Sequence, residues 1–155
     1  KISVCITSYN QKHYLTEAIE SVLNQSVHPG EIIIVDDCST DGTADVIAGY
    51  AEKYPNILRA VYESENRFSQ GVKPMPELYK RAEGKYLALC EGDDYWIDPL
   101  KLQKQVDILE ANPAYSLCFH DAFIIWDDKS RPARLFKPSA RPSARLNVDG
   151  DCRYT

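Results

Sequence analysis

The run Ile32-Ile33-Ile34-Val35 constrains this chain more than any other feature. Four consecutive β-branched apolar residues, with no polar alternation, describe a strand covered on both faces. Strands of that kind belong to parallel sheets. Parallel neighbours need crossover connections, and helices are the usual ones. The chain supplies a helical pattern on each side of the run. Before it, Leu15, Ala18, Ile19, Val22 and Leu23 recur at i, i+3, i+4, i+7 and i+8, one apolar stripe ended by Pro29-Gly30. After it, Val46, Ile47, Tyr50 and Tyr54 mark a helix over 43–54, with Pro55 behind. Further strands are read at 2–7, 57–62 and 86–90, and a short helix at 75–82 stops near Gly84. Asp98-Pro99 has the form of an N-cap followed by a first-turn proline. The helix it opens carries Leu102, Val106 and Leu109 and ends before Pro113. Residues 116–126 read as a last strand, or two short ones. The alternation predicts an α/β fold: a doubly wound, mostly parallel sheet with helices on both faces.

Composition narrows the class. The 155 residues are 44% apolar and 26% charged, with net charge −5. That suits one globular domain and excludes a disordered chain. No basic patch dominates, so nucleic acid is not an expected partner. Apolar runs reach only four or five residues, too short for a membrane-spanning helix, and no signal segment is present. Five cysteines, an odd count without C-x-x-C or zinc spacing, read as reduced thiols and point to a reducing compartment. The chain enters a strand-like run by Ile2, so its N-terminus is expected to be trimmed. Residues 127–155 differ in kind. Pro132, Pro138 and Pro142 interrupt them, and they hold five arginines with little apolar periodicity. The expected organisation is therefore a domain over 1–126 and a loop, or incomplete second region, over 127–155.

In doubly wound sheets ligands bind beyond the carboxyl ends of the strands. After the first strand stands Thr7-Ser8-Tyr9-Asn10. The second is followed by Asp36-Asp37-Cys38-Ser39-Thr40-Asp41-Gly42-Thr43, the fourth by Glu91-Gly92-Asp93-Asp94-Tyr95-Trp96. Three carboxylates within four residues repel one another, and a cation or strong hydrogen bonding must relieve them. All-oxygen donors suit Mg²⁺ or Mn²⁺, with phosphate oxygens completing the shell. The plain alternative is a solvated acidic turn in which Asp94 or Asp98 caps the next helix. Asp36 and Asp37 could likewise belong to a helix-capping turn, with Asp41 or Thr43 as the cap, or could accept hydrogen bonds from a base or ribose. Tyr9 could stack on a base or close the edge of the core. Asp37 and Asp93 are expected at adjacent carboxyl ends of the sheet.

These segments carry a resemblance. Val-Cys-Ile-Thr-Ser-Tyr-Asn at 4–10, Ala-Ile-Glu-Ser-Val-Leu-Asn-Gln-Ser at 18–26 and Ile-Val-Asp-Asp-Cys-Ser-Thr-Asp-Gly-Thr at 34–43 resemble family-two glycosyltransferases of the Rossmann-like GT-A fold. So do Ala-Glu-Gly-Lys-Tyr at 82–86 and Glu-Gly-Asp-Asp at 91–94. The likeness runs from residue 2 to about 126, five blocks in order. It implies a donor site for a nucleotide-activated sugar, with UDP-sugar the expected donor. By that likeness Thr7 and Tyr9 border the nucleobase and Asp37 reads the uracil. Glu91, Asp93 and Asp94 form the acidic motif, with Glu91 towards ribose and Asp93 and Asp94 at the metal, Mn²⁺ or Mg²⁺. This chain has Glu at the first acidic position, where the family more often has Asp. Arg67, in the loop 66–71, would approach phosphate.

The likeness also implies transfer with inversion to a saccharide, lipid-linked or protein acceptor, in polysaccharide or glycoconjugate synthesis. The location it implies is cytoplasmic, or peripheral on the cytoplasmic membrane face through regions outside this chain. The family's general base is an Asp or Glu well downstream. Here only His120, Asp121, Asp127 and Asp128 follow closely. The expectation is a truncated C-terminal part with the base beyond Thr155, His120 and Asp121 being weaker candidates.

Other α/β readings fit less of the chain. A response-regulator receiver would begin at the strand that ends in Asp36-Asp37, yet a whole strand–helix unit precedes it. A haloacid-dehalogenase-like phosphatase needs Asp-x-Asp-x-Thr, and Cys38 stands at the second acid's place. A dinucleotide dehydrogenase needs a glycine-rich turn after the first strand, and 7–15 contain no Gly. A non-catalytic module that binds nucleotide sugars remains open; a transfer assay separates it from an enzyme.

Overall fold

The computed structural model describes residues 1–73, 75–128 and 130–136. The chain divides into two compact units, the first Lys1–Val106 and the second starting at Asp107. In the first unit β1 (Ile2–Ser8), α1 (Lys12–Leu23), β2 (Glu31–Asp36), α2 (Thr43–Lys53) and β3 (Leu58–Tyr62) alternate. A 3₁₀ turn, Phe68–Gln70, and α3 (Met75–Arg81) lead into β4 (Tyr86–Glu91). Helix α4 (Lys101–Ala111) follows.

All four strands are parallel, in the order β3-β2-β1-β4. The chain winds outward from β1 to β3, then returns to add β4 on the other side of β1. The reversal lies between β1 and β4, and such a switch point opens a crevice at the carboxyl edge. Asp37 and Asp93 do sit at one end of the sheet, but β1 stands between their strands, so the two ends flank a common neighbour.

Burial explains the order. All six residues of β2 are buried, as the apolar run at 32–35 predicts. Strand periodicity then sends alternate residues to opposite faces. Val4, Ile6, Ile32 and Ile34 pack with Leu15, Ala18, Ile19 and Val22 of α1, Ile47 of α2 and Leu102 of α4. Cys5, Ile33 and Val35 face the other way, onto Leu78 of α3. Helices therefore cover both faces, three on one and one on the other. Helix α4 starts two residues later than Asp98-Pro99 suggests, and Asp98 braces the turn that leads into it: its carboxylate accepts the Leu100 N–H at 2.8 Å and the Lys104 ammonium at 2.7 Å.

At the amino edge, opposite the crevice, Glu31 is buried in an ionic network. Its carboxylate accepts the Ser3 hydroxyl at 2.5 Å and the Glu83 N–H at 2.7 Å, and pairs with Arg59. Ser3 in turn accepts the Gly84 N–H at 2.8 Å. Gly84 approaches so closely that a methyl there would stand 2.6 Å from the Ser3 nitrogen.

The second unit departs from expectation. Across 116–126 only β5 (Phe123–Ile124) is a strand, paired antiparallel with β6 (Arg134–Leu135). Leu117 and Phe119 are exposed, at 73% and 66%. An apolar run becomes a strand only where a neighbour offers its backbone groups, and here Arg134–Leu135 offers two residues. Of the region 127–155, residues 129 and 137–155 lie outside the described residues.

Candidate functional site

Two consecutive carbonyls at the end of β1 organise the carboxyl edge. Because strand residues point alternately, Thr7 O turns to one neighbour and Ser8 O to the other. Thr7 O accepts the Gly92 N–H at 2.9 Å, and Ser8 O accepts the Asp37 N–H at 2.9 Å. The acidic turn after β4 and the acidic pair after β2 are thus both tied to one short stretch of β1.

The loop after β2 is braced against the start of α1 by a reciprocal set of hydrogen bonds. The first amides of a helix have no partner within it. Here Asn10 N–H donates to Ser39 Oγ at 2.8 Å, Gln11 N–H to Thr43 Oγ1 at 2.9 Å and Lys12 N–H to Asp41 Oδ2 at 3.0 Å. In return Asn10 Oδ1 accepts the Thr40 N–H at 2.8 Å. Asp41, just outside the N-cap Gly42, also accepts at 2.9 Å the N–H of Thr43, the first residue of α2. Both loops contain a non-glycine residue in the left-handed region, Asn10 (φ 51) and Cys38 (φ 65). Such strain, of order 1–3 kcal/mol each, persists only where the surroundings dictate it. Asp36 is buried and holds Ser39 through both its hydroxyl and its N–H.

Asp37 is 4% exposed. Its two carboxylate oxygens accept the Arg67 and Phe68 N–H groups, each at 2.9 Å. It therefore fastens the loop after β3 over the site, a role that spacing in the sequence does not reveal. Gly71 (φ 82) closes that loop by donating to Phe68 O at 3.0 Å. The Arg67 guanidinium pairs with Glu63 within the loop at 3.4 Å. Thr7 is half-buried at the end of β1, and Tyr9 beyond it is exposed. Tyr62 and Phe68, also exposed, add aromatic surface at the ends of β3 and its loop.

On the β4 side Glu91, Asp93 and Asp94 are exposed, and Asp94 N–H closes the turn onto Glu91 O at 3.1 Å. Partial loss of water at the strand end, then the charges of Asp93 and Asp94, hold the Glu91 carboxyl above its usual range. Beneath them burial, reinforced by Asp94, pushes the Cys90 thiol up to about 12, so it is inert. The chain beyond the turn is pinned to α1: Trp96 N–H donates to Ser21 Oγ at 3.0 Å, and Lys101 lies 3.9 Å over the Trp96 ring. Gln25, fully buried, donates to Asp98 O at 3.0 Å and accepts the Leu102 N–H at 3.1 Å. Neither Ser21 nor Gln25 is singled out by reading the sequence. Their only trace in the sequence is membership of the block at 18–26 that carries the family resemblance.

Among the described residues no three acid, Cys or His side chains converge as a ready-made metal cage. Mg²⁺-type sites completed by substrate phosphates need only one or two protein carboxylates. The acidic turn meets that requirement, and the mutual repulsion felt at Glu91 is what a cation there would relieve.

His120 and Asp121 fall in the second unit. His120 Nδ1 lies 2.7 Å from the Asp121 carbonyl oxygen, which accepts from it. Among the described residues no helix is long and apolar enough to cross a membrane.

Residues 3–151 match the model of the family described as Glycosyl transferase family 2. Over 136 residues the chain is 42% identical to an uncharacterized protein of Mycobacterium tuberculosis, covering 86% of this chain and 38% of that one. It is 40% identical over 116 residues to the putative teichuronic acid biosynthesis glycosyltransferase TuaG of Bacillus subtilis, covering 74% of this chain and 44% of TuaG. The chain thus spans less than half the length of these relatives. Among solved structures, S. aureus TarS 1-349 in complex with UDP-GlcNAc superimposes with a TM-score of 0.61 at 33% identity, over 73% of this chain and 32% of that one. The mannosyltransferase PcManGT of Pyrobaculum calidifontis, in complex with GDP-Man and Mn²⁺, gives 0.61 at 26% identity, over 70% and 32%.

Proposed function

The chain belongs to glycosyl transferase family 2, and from that premise we propose that its carboxyl-edge crevice binds a UDP-sugar for transfer, with inversion, to an acceptor hydroxyl. The observation that carries this reading is the pair of β1 carbonyls, Thr7 O and Ser8 O, which hold the acidic turn and Asp37 on either side of one strand end. The likeness to TarS, solved with UDP and UDP-GlcNAc, supports uridine as the base.

In this reading Thr7 and Tyr9 border the base. Asp37, besides holding the loop, has lone pairs left on both oxygens and accepts the uracil N3–H. Glu91 faces the ribose. Asp93 and Asp94 hold a divalent cation, Mn²⁺ or Mg²⁺, whose chemistry when bound is Lewis-acid stabilisation of the charge gathering on the diphosphate. The base half and the metal half flank β1, so a nucleoside diphosphate spans them. Attack by the acceptor on the face opposite the diphosphate inverts the anomeric centre. The general base belongs to the acceptor side, outside the residues that form this crevice. The likeness to TuaG favours a cell-envelope polysaccharide as the acceptor, and the place proposed for the reaction is the cytoplasm or the cytoplasmic face of the membrane.

The test is calorimetry of UDP and GDP with Mn²⁺ and with EDTA. UDP should bind more tightly than GDP, and Mn²⁺ should strengthen UDP binding; by linkage UDP strengthens Mn²⁺ binding by the same factor. Asp93→Asn, at an exposed turn position, should abolish that enhancement and leave the melting temperature unchanged. Equal UDP affinity in EDTA and Mn²⁺, or a preference for GDP, overturns the assignment.

A further inference from the structure

We propose that Gln11 is a positioning residue that couples the two halves of the donor site, the loop 36–43 and the acidic turn 91–94. The inference rests on the donor-site reading above and adds to it a device for communication between base and diphosphate.

Gln11 stands at the N-cap of α1, directly after β1. Its backbone belongs to the base half. The Gln11 N–H donates to Thr43 Oγ1 at 2.9 Å, and that fully buried hydroxyl donates to Asp41 Oδ1 at 2.5 Å. Its side chain belongs to the other half. The carboxamide oxygen occupies the space in front of Gly92, where any methyl group would collide with it. The same methyl would press on Thr7 O at 3.0 Å and Ser8 Oγ at 3.1 Å. A side chain at 92 would have to push the end of the Gln11 side chain aside, and Gln11 is the neighbour that fills the space.

Two features set this contact apart from ordinary packing. Gln11 Oε1 is enclosed and has no hydrogen-bond partner among the described residues; Ser8 Oγ, on a residue 4% exposed, is in the same condition. Buried polar atoms are nearly always paired, because leaving one unpaired is costly, and each exception calls for an explanation. Here both exceptions lie side by side between the end of β1 and the turn that carries the three carboxylates. An apolar residue at either position would remove that cost. The carboxamide oxygen, an acceptor unpaired against the acidic turn on a backbone fixed by the base loop, can gain a donor when the turn adjusts to its ligand. Occupation of one half then orders Gln11, and an ordered Gln11 prepares the other half, which is positive coupling in both directions.

The experiment compares the wild type with Gln11→Ala, Gly92→Ala and the double variant, by thermal unfolding and by UDP calorimetry with EDTA and with Mn²⁺. In the wild type Mn²⁺ tightens UDP binding by the coupling factor, typically about 5–150-fold in coupled sites. In Gln11→Ala that factor should fall towards one, while UDP affinity in EDTA stays within about twofold of wild type. A residue that merely supported the fold would weaken binding equally in both buffers. The melting-temperature loss of Gly92→Ala should be at least halved when position 11 is already alanine, because the methyl then has room. Additive losses in melting temperature overturn the contact. A Gln11→Ala factor equal to wild type overturns the coupling while the donor reading stands. Absence of any Mn²⁺ enhancement in the wild type overturns the donor reading, and this inference with it.

Discussion

Asp37→Asn is the sharpest single perturbation of this site, because it changes one atom in a pocket where both oxygens are in use. Asp37 is 4% exposed and accepts the Arg67 and Phe68 N–H groups at 2.9 Å each. Asparagine offers one oxygen and one NH₂, so whichever way it turns, a donor faces one of the two amides. One charge-assisted bond is lost, about 1.5–3 kcal/mol, and the amide opposite it is left without an acceptor. The loop can relax into water at this point, since Phe68 is exposed and Glu63 N–H still donates to Asp36 O at 2.9 Å. We therefore expect a stability loss of about 1–2 kcal/mol, which is roughly 2–8 °C in melting temperature for a domain of this size. UDP affinity should suffer more. The uracil N3–H loses its anionic acceptor while the loop above it loosens, and about 1.5–3 kcal/mol corresponds to roughly 10–150-fold in Kd. Scanning calorimetry and titration calorimetry on one preparation measure both numbers. Unchanged UDP affinity refutes the uracil contact, and unchanged stability refutes the loop-fastening role, so the two functions of Asp37 can fail separately.

The remaining expectations concern the scaffold and the reaction. Burial alone would raise the Glu31 carboxyl, but the Ser3 hydroxyl, the Glu83 N–H and the charges of Arg59 and Lys1 together hold it below its usual range. A depressed folded value means stability that is present above the ordinary Glu value of about 4.3 and is lost as pH falls through the depressed one. Glu31→Gln should therefore be about 1–3 kcal/mol less stable than wild type at pH 7, and urea titrations should show the gap closing only below about pH 4; a gap independent of pH refutes the charge argument. Gly84→Ala should cost about 1–3 kcal/mol by denaturant unfolding, because its methyl meets the backbone of the central strand β1 at 2.6 Å; a neutral effect would show that the edge yields freely. Asp93→Asn should also slow sugar transfer in a radiolabelled-donor assay, and an unchanged rate refutes its place at the diphosphate.

The sheet was legible in the sequence because its signals are local and periodic. The apolar run at 32–35 needs two covered faces, and the stripes of α1 and α2 supply covering helices. The turn that Asp98 braces before α4 was legible for the same reason, since the carboxylate and the amide it serves lie two residues apart. Strand order was less so: periodicity says that β1 and β4 are strands, but not that β1 ends up between the two acidic ends. The last strand misled, because the apolar content of 116–126 says nothing about whether a partner backbone is at hand, and only Phe123–Ile124 found one. In the site, the acidic positions stood out as residue types after strands. Their supports did not. Asn10 with Ser39 and Thr40, Gln11 with Thr43, and Asp37 with Arg67 and Phe68 are bonds across about thirty residues, made by common polar side chains to main-chain groups. A side chain that serves a distant backbone amide leaves no periodic trace, because its partner is any residue that the fold brings within reach. The architecture of a parallel sheet can therefore be read along the chain, whereas the bracing that holds its carboxyl edge exists only once three loops have met at the end of β1.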